Sequence, residues 1–427
     1  MLSARLERLA KEIEAAGAGA LERFWDEVAQ AGAPLIEEDT ERDDTRVVTF
    51  LWRATEPVEH VALIEWFSEG DFGDKLLERF GETDLWYRSY RLRSDLRLDY
   101  QFGPDDPLTP KREEQDWETR RAGWRRDPLN PDWYFDPKHP DDALPEERAW
   151  SVVTLPNAEP QPWLAVVADA PAGSVDHHRF ESDIMGNERD CWLYQPANGT
   201  EPEVLLLLFD GERAMGAMQT PHVLDNLILA GAIPPTAAVM IGNVDRGAEL
   251  PCNPEFLRML VDEMLPWARR ELGLEWLPDR VLLAGQSYGG LAAAYCALER
   301  PEVFSGAICQ SGSFWWKADP RNEQGPALVV GDAPVYGWLP ARAADADWAE
   351  TRFYLDAGRL ENRHFDDAAP SLLVSVRHMR DVLRARGFDV TYREFAGGHD
   401  VVWWRSTLAD GLIALVGGGS WLVVSSQ

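Results

Sequence analysis

The chain has 427 residues with 73 acidic against 42 basic side chains, a formal net charge of -31, and an apolar fraction of 45%. That length exceeds one ordinary hydrophobic core and favours two or three globular domains, while the acidic balance gives nucleic acid or an anionic membrane no electrostatic hold. Cys191, Cys252, Cys296 and Cys309 are scattered without a C-x-x-C pair, and the charged N-terminus (Met1 to Glu7) lacks the apolar centre of a signal peptide. Neither a disulfide scaffold nor a membrane span is therefore expected, and the chain reads as a soluble cytoplasmic protein.

Residues 4 to 30 place Leu6, Leu9, Ile13, Leu21, Phe24 and Val28 at helical spacing around an Ala-Gly-Ala-Gly break, which predicts a helical hairpin or a bent helix. From 45 to 104 the period changes to two. Runs at 47–52, 60–64, 85–90 and 96–102, rich in β-branched and aromatic residues, predict a small antiparallel β-sandwich. The stretch from 104 to 150 is rich in Pro, Asp, Arg and Trp without periodicity, and reads as a long irregular connection.

Strand-like and helix-like segments then alternate. Strands are expected at 192–195, 204–209, 238–244, 281–284, 306–310, 353–356 and 390–395, with helices at 222–230, 254–272, 289–299 and 371–386. This alternation implies a mostly parallel sheet covered by helices on both faces. The change of pattern divides the chain into 1–175, a helical segment plus sandwich and connection, and 176–427, an α/β-hydrolase-like catalytic domain.

The chemistry centres on Gly285-Gln286-Ser287-Tyr288-Gly289. A strand-like run feeds into it and a small-residue helix leaves it, the context of a nucleophile elbow that lifts a serine hydroxyl above a sheet edge. The five-residue motif alone is common; its strand and helix flanks give it meaning. A serine hydroxyl needs a histidine to take its proton and a carboxylate to orient that histidine. In the chain order of this fold the histidine comes last, which selects His399 in the glycine-flanked loop Ala396-Gly397-Gly398-His399-Asp400. His364 and His378 read as structural or solvated. For the acid, Glu361 lies past a glycine turn, where a loop side chain can reach the histidine, and is preferred to Asp356; a Ser-His dyad is the remaining arrangement. Oxyanion donors are expected from the backbone N–H of Tyr288 and from the loop at Gly211, with Asp210 shaping that loop. The chain shows no motif for a cofactor or a metal cluster, and neither is expected.

Several longer stretches resemble the two-domain enterochelin (ferric enterobactin) esterase family. They are Gly285 to Gly290, Gln310-Ser311-Gly312-Ser313-Phe314-Trp315-Trp316, Arg246 with Glu249-Leu250-Pro251-Cys252-Asn253-Pro254, Gly397 to Asp400, and, near the N-terminus, 48–53 and 127–131. The resemblance implies hydrolysis of the trilactone backbone of a catecholate siderophore, ferric or iron-free. Ser287 would attack a lactone carbonyl and His399 would carry the proton to the leaving alkoxide. A ferric tris-catecholate is trianionic and long-range steering by this chain opposes its approach, so local cations must recognise it. Arg246 is the candidate by its place in the matching motif, with pairing to Glu249 as the competing structural role. Glu249, Asn253, Trp315, Trp316 and Trp404 complete the expected substrate-side set, the tryptophans by offering faces to catechol rings. The loops at 211–222 and 317–348 map onto no particular siderophore. Two rivals stand beside this reading: a carboxylesterase of the feruloyl-esterase or S-formylglutathione-hydrolase kind, and a non-catalytic binder on a hydrolase scaffold.

Overall fold

The computed structural model describes residues 2–417 apart from 18, 138, 168–170, 276–279, 318–335, 347–349, 363 and 365–368. The expected substrate-side loop at 317–348 thus lies largely outside the described residues. Contacts divide the chain into two units: residues up to 136 with 142–160 and 396–402, and residues 137–141 with 161–395 and those from 403 onward.

The first unit opens with helices α1 (Ala4–Ala16) and α2 (Gly19–Ala31). Ser3 caps α1, its Oγ accepting the Leu6 N–H at 3.1 Å. Leu6, Leu9, Phe24, Trp25 and Val28 form the buried stripe of this hairpin, because their spacing puts them on one face of each helix. Strands β1 (Leu35–Glu38), β2 (Thr45–Arg53), β3 (Val61–Ile64), β4 (Glu78–Arg79), β5 (Leu85–Arg93) and β6 (Arg97–Pro104) follow. After them come α3 (Trp117–Ala122), β7 (Trp133–Tyr134) and β8 (Trp150–Thr154). They form two antiparallel sheets, ordered β1-β2-β5-β4 and β3-β6-β8-β7. Phe50 of β2 meets Tyr100 of β6 edge to face at 4.7 Å, and Trp52 meets Phe102 at 5.3 Å, so the two sheets pack as a sandwich.

The stretch 104–150 is more ordered than its sequence suggests, since it holds α3 and β7 and leads into β8. Buried polar contacts organise it. Asp106 accepts hydrogen bonds from Arg120 (2.6 and 3.1 Å) and the Trp124 indole (2.9 Å), and Asp127 accepts from the Tyr100 hydroxyl at 2.8 Å. Hydrophobic periodicity is blind to order of this kind.

The second unit is a sheet of eight strands, β9 (Ser174–Ser182), β10 (Asn187–Gln195), β11 (Val204–Phe209), β12 (Thr236–Ile241), β13 (Arg280–Gln286), β14 (Gly306–Gln310), β15 (Arg352–Gly358) and β16 (Asp389–Phe395). Their order is β16-β15-β14-β13-β11-β12-β10-β9, parallel from β12 to β16, with β10 and β9 antiparallel at the other edge. β11 is buried along its whole length, as a strand covered on both faces must be, and its run of leucines follows from that.

Helices α4 (Gly211–Met215), α5 (Thr220–Leu229), α6 (Arg246–Glu249), α7 (Pro254–Met259), α8 (Leu265–Glu271), α9 (Tyr288–Glu299), α10 (Trp338–Ala343), α11 (Leu372–Ala385) and α12 (Val401–Val416) connect the strands. A π-helical turn at 260–264 joins α7 to α8. β9 was not anticipated: Ser174-Val175-Asp176-His177-His178-Arg179 is an edge strand of polar residues and carries no buried alternation. Among the described residues no helix is long and apolar enough to cross a membrane.

Candidate active site

β13 delivers the chain to Ser287, whose backbone lies at φ 56°, ψ -115°, a sparsely populated conformation for a residue with a side chain. The surroundings hold it there. Its N–H donates to Gln310 O at 2.9 Å, and its carbonyl accepts from Leu291 N and Ser313 N, both at 3.0 Å. Glycine is required at 285, because a Cβ there would stand 2.5 Å from the carbonyl carbon of Gly289. The Ser287 and Ser313 hydroxyls are 3.1 Å apart. Ser313 was quoted from the sequence only as part of a matching stretch; its backbone and hydroxyl contacts with Ser287 give it a place in the site that spacing could not reveal.

The loop after β11 forms one wall of the elbow. Asp210 is buried in the left-handed region at φ 58°. Its carboxylate takes both Arg246 Nε (2.6 Å) and Nη2 (2.8 Å), and accepts from Asn243 Nδ2 at 2.8 Å. Burial by itself would push this carboxyl upward; the charges of Arg246 and Arg213 and the Asn243 hydrogen bond overcome it, and the net shift is below the usual aspartate range. Arg246 also donates to Gln286 O at 3.2 Å and lies 5.7 Å from the Tyr288 ring centre, so one guanidinium ties this loop to the elbow. Gly211 starts α4 against the backbone of Met240 and Ile241, where an added Cβ would be 2.7 to 2.8 Å away. A side chain at 211 would therefore clash with the end of β12.

Beneath the serine runs a buried amide network. Gln286 Nε2 donates to Gln310 Oε1 (2.9 Å), and Gln310 Nε2 donates to Trp404 O (2.7 Å) and Thr407 Oγ1 (2.6 Å). It joins β13, β14 and α12. At the end of β15, Asp356 Oδ1 accepts from Ser311 N at 3.0 Å. This carboxyl is pushed up to about 7, chiefly by burial and further by the charge of Glu361, against the Thr407 and Ser311 hydrogen bonds and the charge of Arg393. Glu361 follows three residues beyond the strand; it is buried, and its Oε2 accepts from Gly358 N at 2.8 Å. His399 lies in the stretch 396–402 that runs from the end of β16 into α12 and is grouped by its contacts with the first unit.

Three residues expected on the substrate side are held by hydrogen bonds within the protein. Glu249 is buried, and both of its oxygens accept from Arg189 at 3.0 Å rather than from Arg246. Arg189 on β10 is fully enclosed and requires an internal counter-charge. Asn253 caps α7, its Oδ1 accepting from Glu255 N (2.9 Å) and Phe256 N (3.2 Å) while Nδ2 donates to Ala248 O. Trp404 is 4% exposed and donates its indole N–H to Ser311 Oγ at 3.0 Å, which turns it inward. Trp315 and Trp316 are half-buried, the former 6.1 Å from the Tyr288 ring and the latter edge-on to Trp338 at 6.0 Å. Arg246 keeps 34% of its side chain exposed despite its pairing with Asp210.

The parallel sheet with a strained serine at a strand-to-helix elbow defines a serine hydrolase of the α/β class, acting on carboxylic esters. Residues 182–415 match the family described as "Putative esterase", and residues 47–164 match the N-terminal domain of enterochelin esterase. The chain belongs to the enterochelin esterase family. It is 31% identical to the iron(III) enterobactin esterase of Dickeya dadantii, over 93% of each chain. It is 27% identical to the iron(III) salmochelin esterase of Escherichia coli, over 92% of this chain and 93% of the other. The crystal structure of an enterobactin esterase from Shigella flexneri, obtained in the presence of enterobactin, superposes with a TM-score of 0.68 at 27% identity, covering 89% of this chain and 95% of that one.

Proposed function

We propose that the protein opens the trilactone ring of a catecholate siderophore of the enterobactin class and cleaves the linear products. The observation that carries this reading is the strained Ser287 elbow in a chain that aligns over nearly its whole length with esterases named for that substrate class. Ser287 Oγ adds to a lactone carbonyl while His399 removes its proton. The oxyanion is held by the backbone N–H groups of Tyr288 and Gly211. His399 then protonates the leaving seryl alkoxide, and water releases the acyl-enzyme through the same groups in reverse.

Glu361 serves as the orienting acid. Support comes from its neighbour: burial, and after it the charge of Glu361, push the Asp356 carboxyl up to about 7, which weakens Asp356 as the partner of an imidazolium. Arg246, paired to Asp210 yet partly exposed, supplies the local positive end against a net charge of -31. Trp315 and Trp316 offer ring faces to the catechols. The proposed place of action is the cytoplasm, where ring opening weakens the hold on iron before its reduction.

The test is product analysis by mass spectrometry after incubation with ferric and iron-free enterobactin. Wild-type protein is expected to yield linear trimer, dimer and monomer of dihydroxybenzoylserine, and Ser287→Ala none. A wild type that leaves both forms intact while hydrolysing a simple aryl ester would move the protein to a general esterase.

A further inference from the structure

At the antiparallel edge of the large sheet, His177 of β9 faces Trp192 across the strand pair, and Asp190 of β10 stands two residues away in register, on the same face. His177 Nε2 lies 2.8 Å from Asp190 Oδ1. The segment 137–141 belongs to the same unit and brings His139 to this place. The two imidazoles are 6.2 Å apart centre to centre, and both pack on the buried Trp192 indole, His177 stacked at 5.4 Å and His139 tilted at 5.6 Å. One ligand atom from each of His139, His177 and Asp190 falls within 4.8 Å of the other two.

We propose that these three side chains bind a divalent transition-metal ion. Two imidazoles and one carboxylate suit zinc, nickel, cobalt or copper, whereas magnesium and calcium prefer all-oxygen sets. Acidic side chains lie beside the site: Asp190 and Glu188 are bridged by Arg179 (2.7 Å to each), and Asp141 lies next to His139. Arg179 Nη1 takes Asp190 Oδ2 and leaves Oδ1 turned toward His177, an outer contact that fixes the carboxylate as ligand. Asp141 faces Nδ1 of His139 through its backbone N at 3.3 Å and its Oδ2 at 3.7 Å.

Metal–ligand distances of about 2.0 to 2.2 Å put tetrahedral ligand atoms roughly 3.3 to 3.5 Å apart, so His139 has only to close by about an ångström, which its irregular segment permits. The ion sits between His177 Nε2 and Asp190 Oδ1, the imidazole binding as its neutral Nδ1–H tautomer, and water fills the remaining positions. Its effect is to pin the segment 137–141 to the sheet edge. This inference is independent of the ester chemistry.

The test is isothermal titration of tag-free, chelator-stripped full-length protein with zinc and nickel chlorides at pH 7.5, beside His139→Ala, His177→Ala, the double variant and Asp190→Asn. The wild type is expected to bind one ion per chain without competition from millimolar magnesium. Each single histidine variant should bind at least tenfold more weakly, and the double variant should lose the stoichiometric site. Cobalt should give a visible absorption band with imidazole ligation in the wild type alone, and zinc should raise its Tm but not that of the double variant. Circular dichroism and turnover of an aryl ester, unchanged in the variants, guard against misfolding. No one-to-one binding by the wild type, or equal binding by the double variant through the acidic surface, would overturn the proposal.

Discussion

The C-terminal ends of β11 and β15 each bury an aspartate near the elbow, and the two are shifted in opposite directions. Asp210 is enclosed but faces Arg246 bidentately, and its carboxyl is drawn below the usual range. Asp356, equally enclosed, has the Arg393 charge opposed by that of Glu361, and burial pushes it up to about 7. Burial thus does not decide whether a carboxylate is charged; the partner brought to it does. One strand end presents an ion pair that braces the loop after β11, and the other presents a carboxyl with a raised pKa that accepts from Ser311 N.

The sharpest test of this contrast concerns where the catalytic negative charge resides beyond β15. Glu361→Gln is expected to lower kcat by about a thousand- to ten-thousand-fold, as loss of an orienting carboxylate does, while Asp356→Asn stays within about tenfold of wild type. Steady-state rates on a chromogenic ester decide it, and a reversed ranking would transfer the role to Asp356.

Next in size is the ion pair at the other strand end. Asp210→Ala leaves Arg246 without its counter-charge and should cost about 3 kcal/mol in urea unfolding, the lower part of the range for broken buried pairs because Arg246 keeps a third of its surface in solvent.

The two aspartates should also respond to pH with opposite sign. The folded-state pKa of Asp356 exceeds its unfolded value, so its contribution to stability is full below about 4 and lost as pH rises toward about 7, at up to about 1.4 kcal/mol per pH unit. Wild type should therefore fall behind Asp356→Asn over that interval, with the gap levelling above pH 8. The depressed Asp210 works the other way: its contribution is present above the unfolded pKa and lost as pH falls through the folded one. Tm measured from about pH 2 to 8 for wild type and both variants gives these slopes, that of Asp210 below about pH 4 and that of Asp356 between about 4 and 7, and parallel curves would refute the assignment.

The smallest expected effect belongs to Ser313. Removing its hydroxyl in Ser313→Ala deletes one hydrogen bond to Ser287, about 0.5 to 1.5 kcal/mol, or roughly a three- to tenfold loss in kcat/KM. An unchanged rate would make the contact incidental.

Local chemistry made much of the molecule legible in the sequence. The elbow is spelled by contiguous residues, since strand, turn and helix adjoin and Gly285 answers to atoms only a few positions away. The two-residue period of the sandwich and the apolar runs of the parallel strands are written by burial of one face or both. Partners far apart in the chain are not written in this way. Arg246 selects Asp210 36 positions away, Glu249 selects Arg189 60 positions away, and Trp404 turns to Ser311 across 93. Motif proximity suggested Arg246 with Glu249, three residues apart on α6, but the sheet brings Asp210 to one and Arg189 to the other.

The sequence by itself determined the fold class, the strand-to-helix elbow at Ser287 and the ester chemistry, because each depends on short-range geometry and on residue type. Only the tertiary structure decided which charges neutralise one another, which tryptophans face inward, and in which direction each of two buried aspartates is shifted. Those outcomes depend on the dielectric surroundings and partners that folding brings within a few ångströms, and no spacing along the chain encodes them.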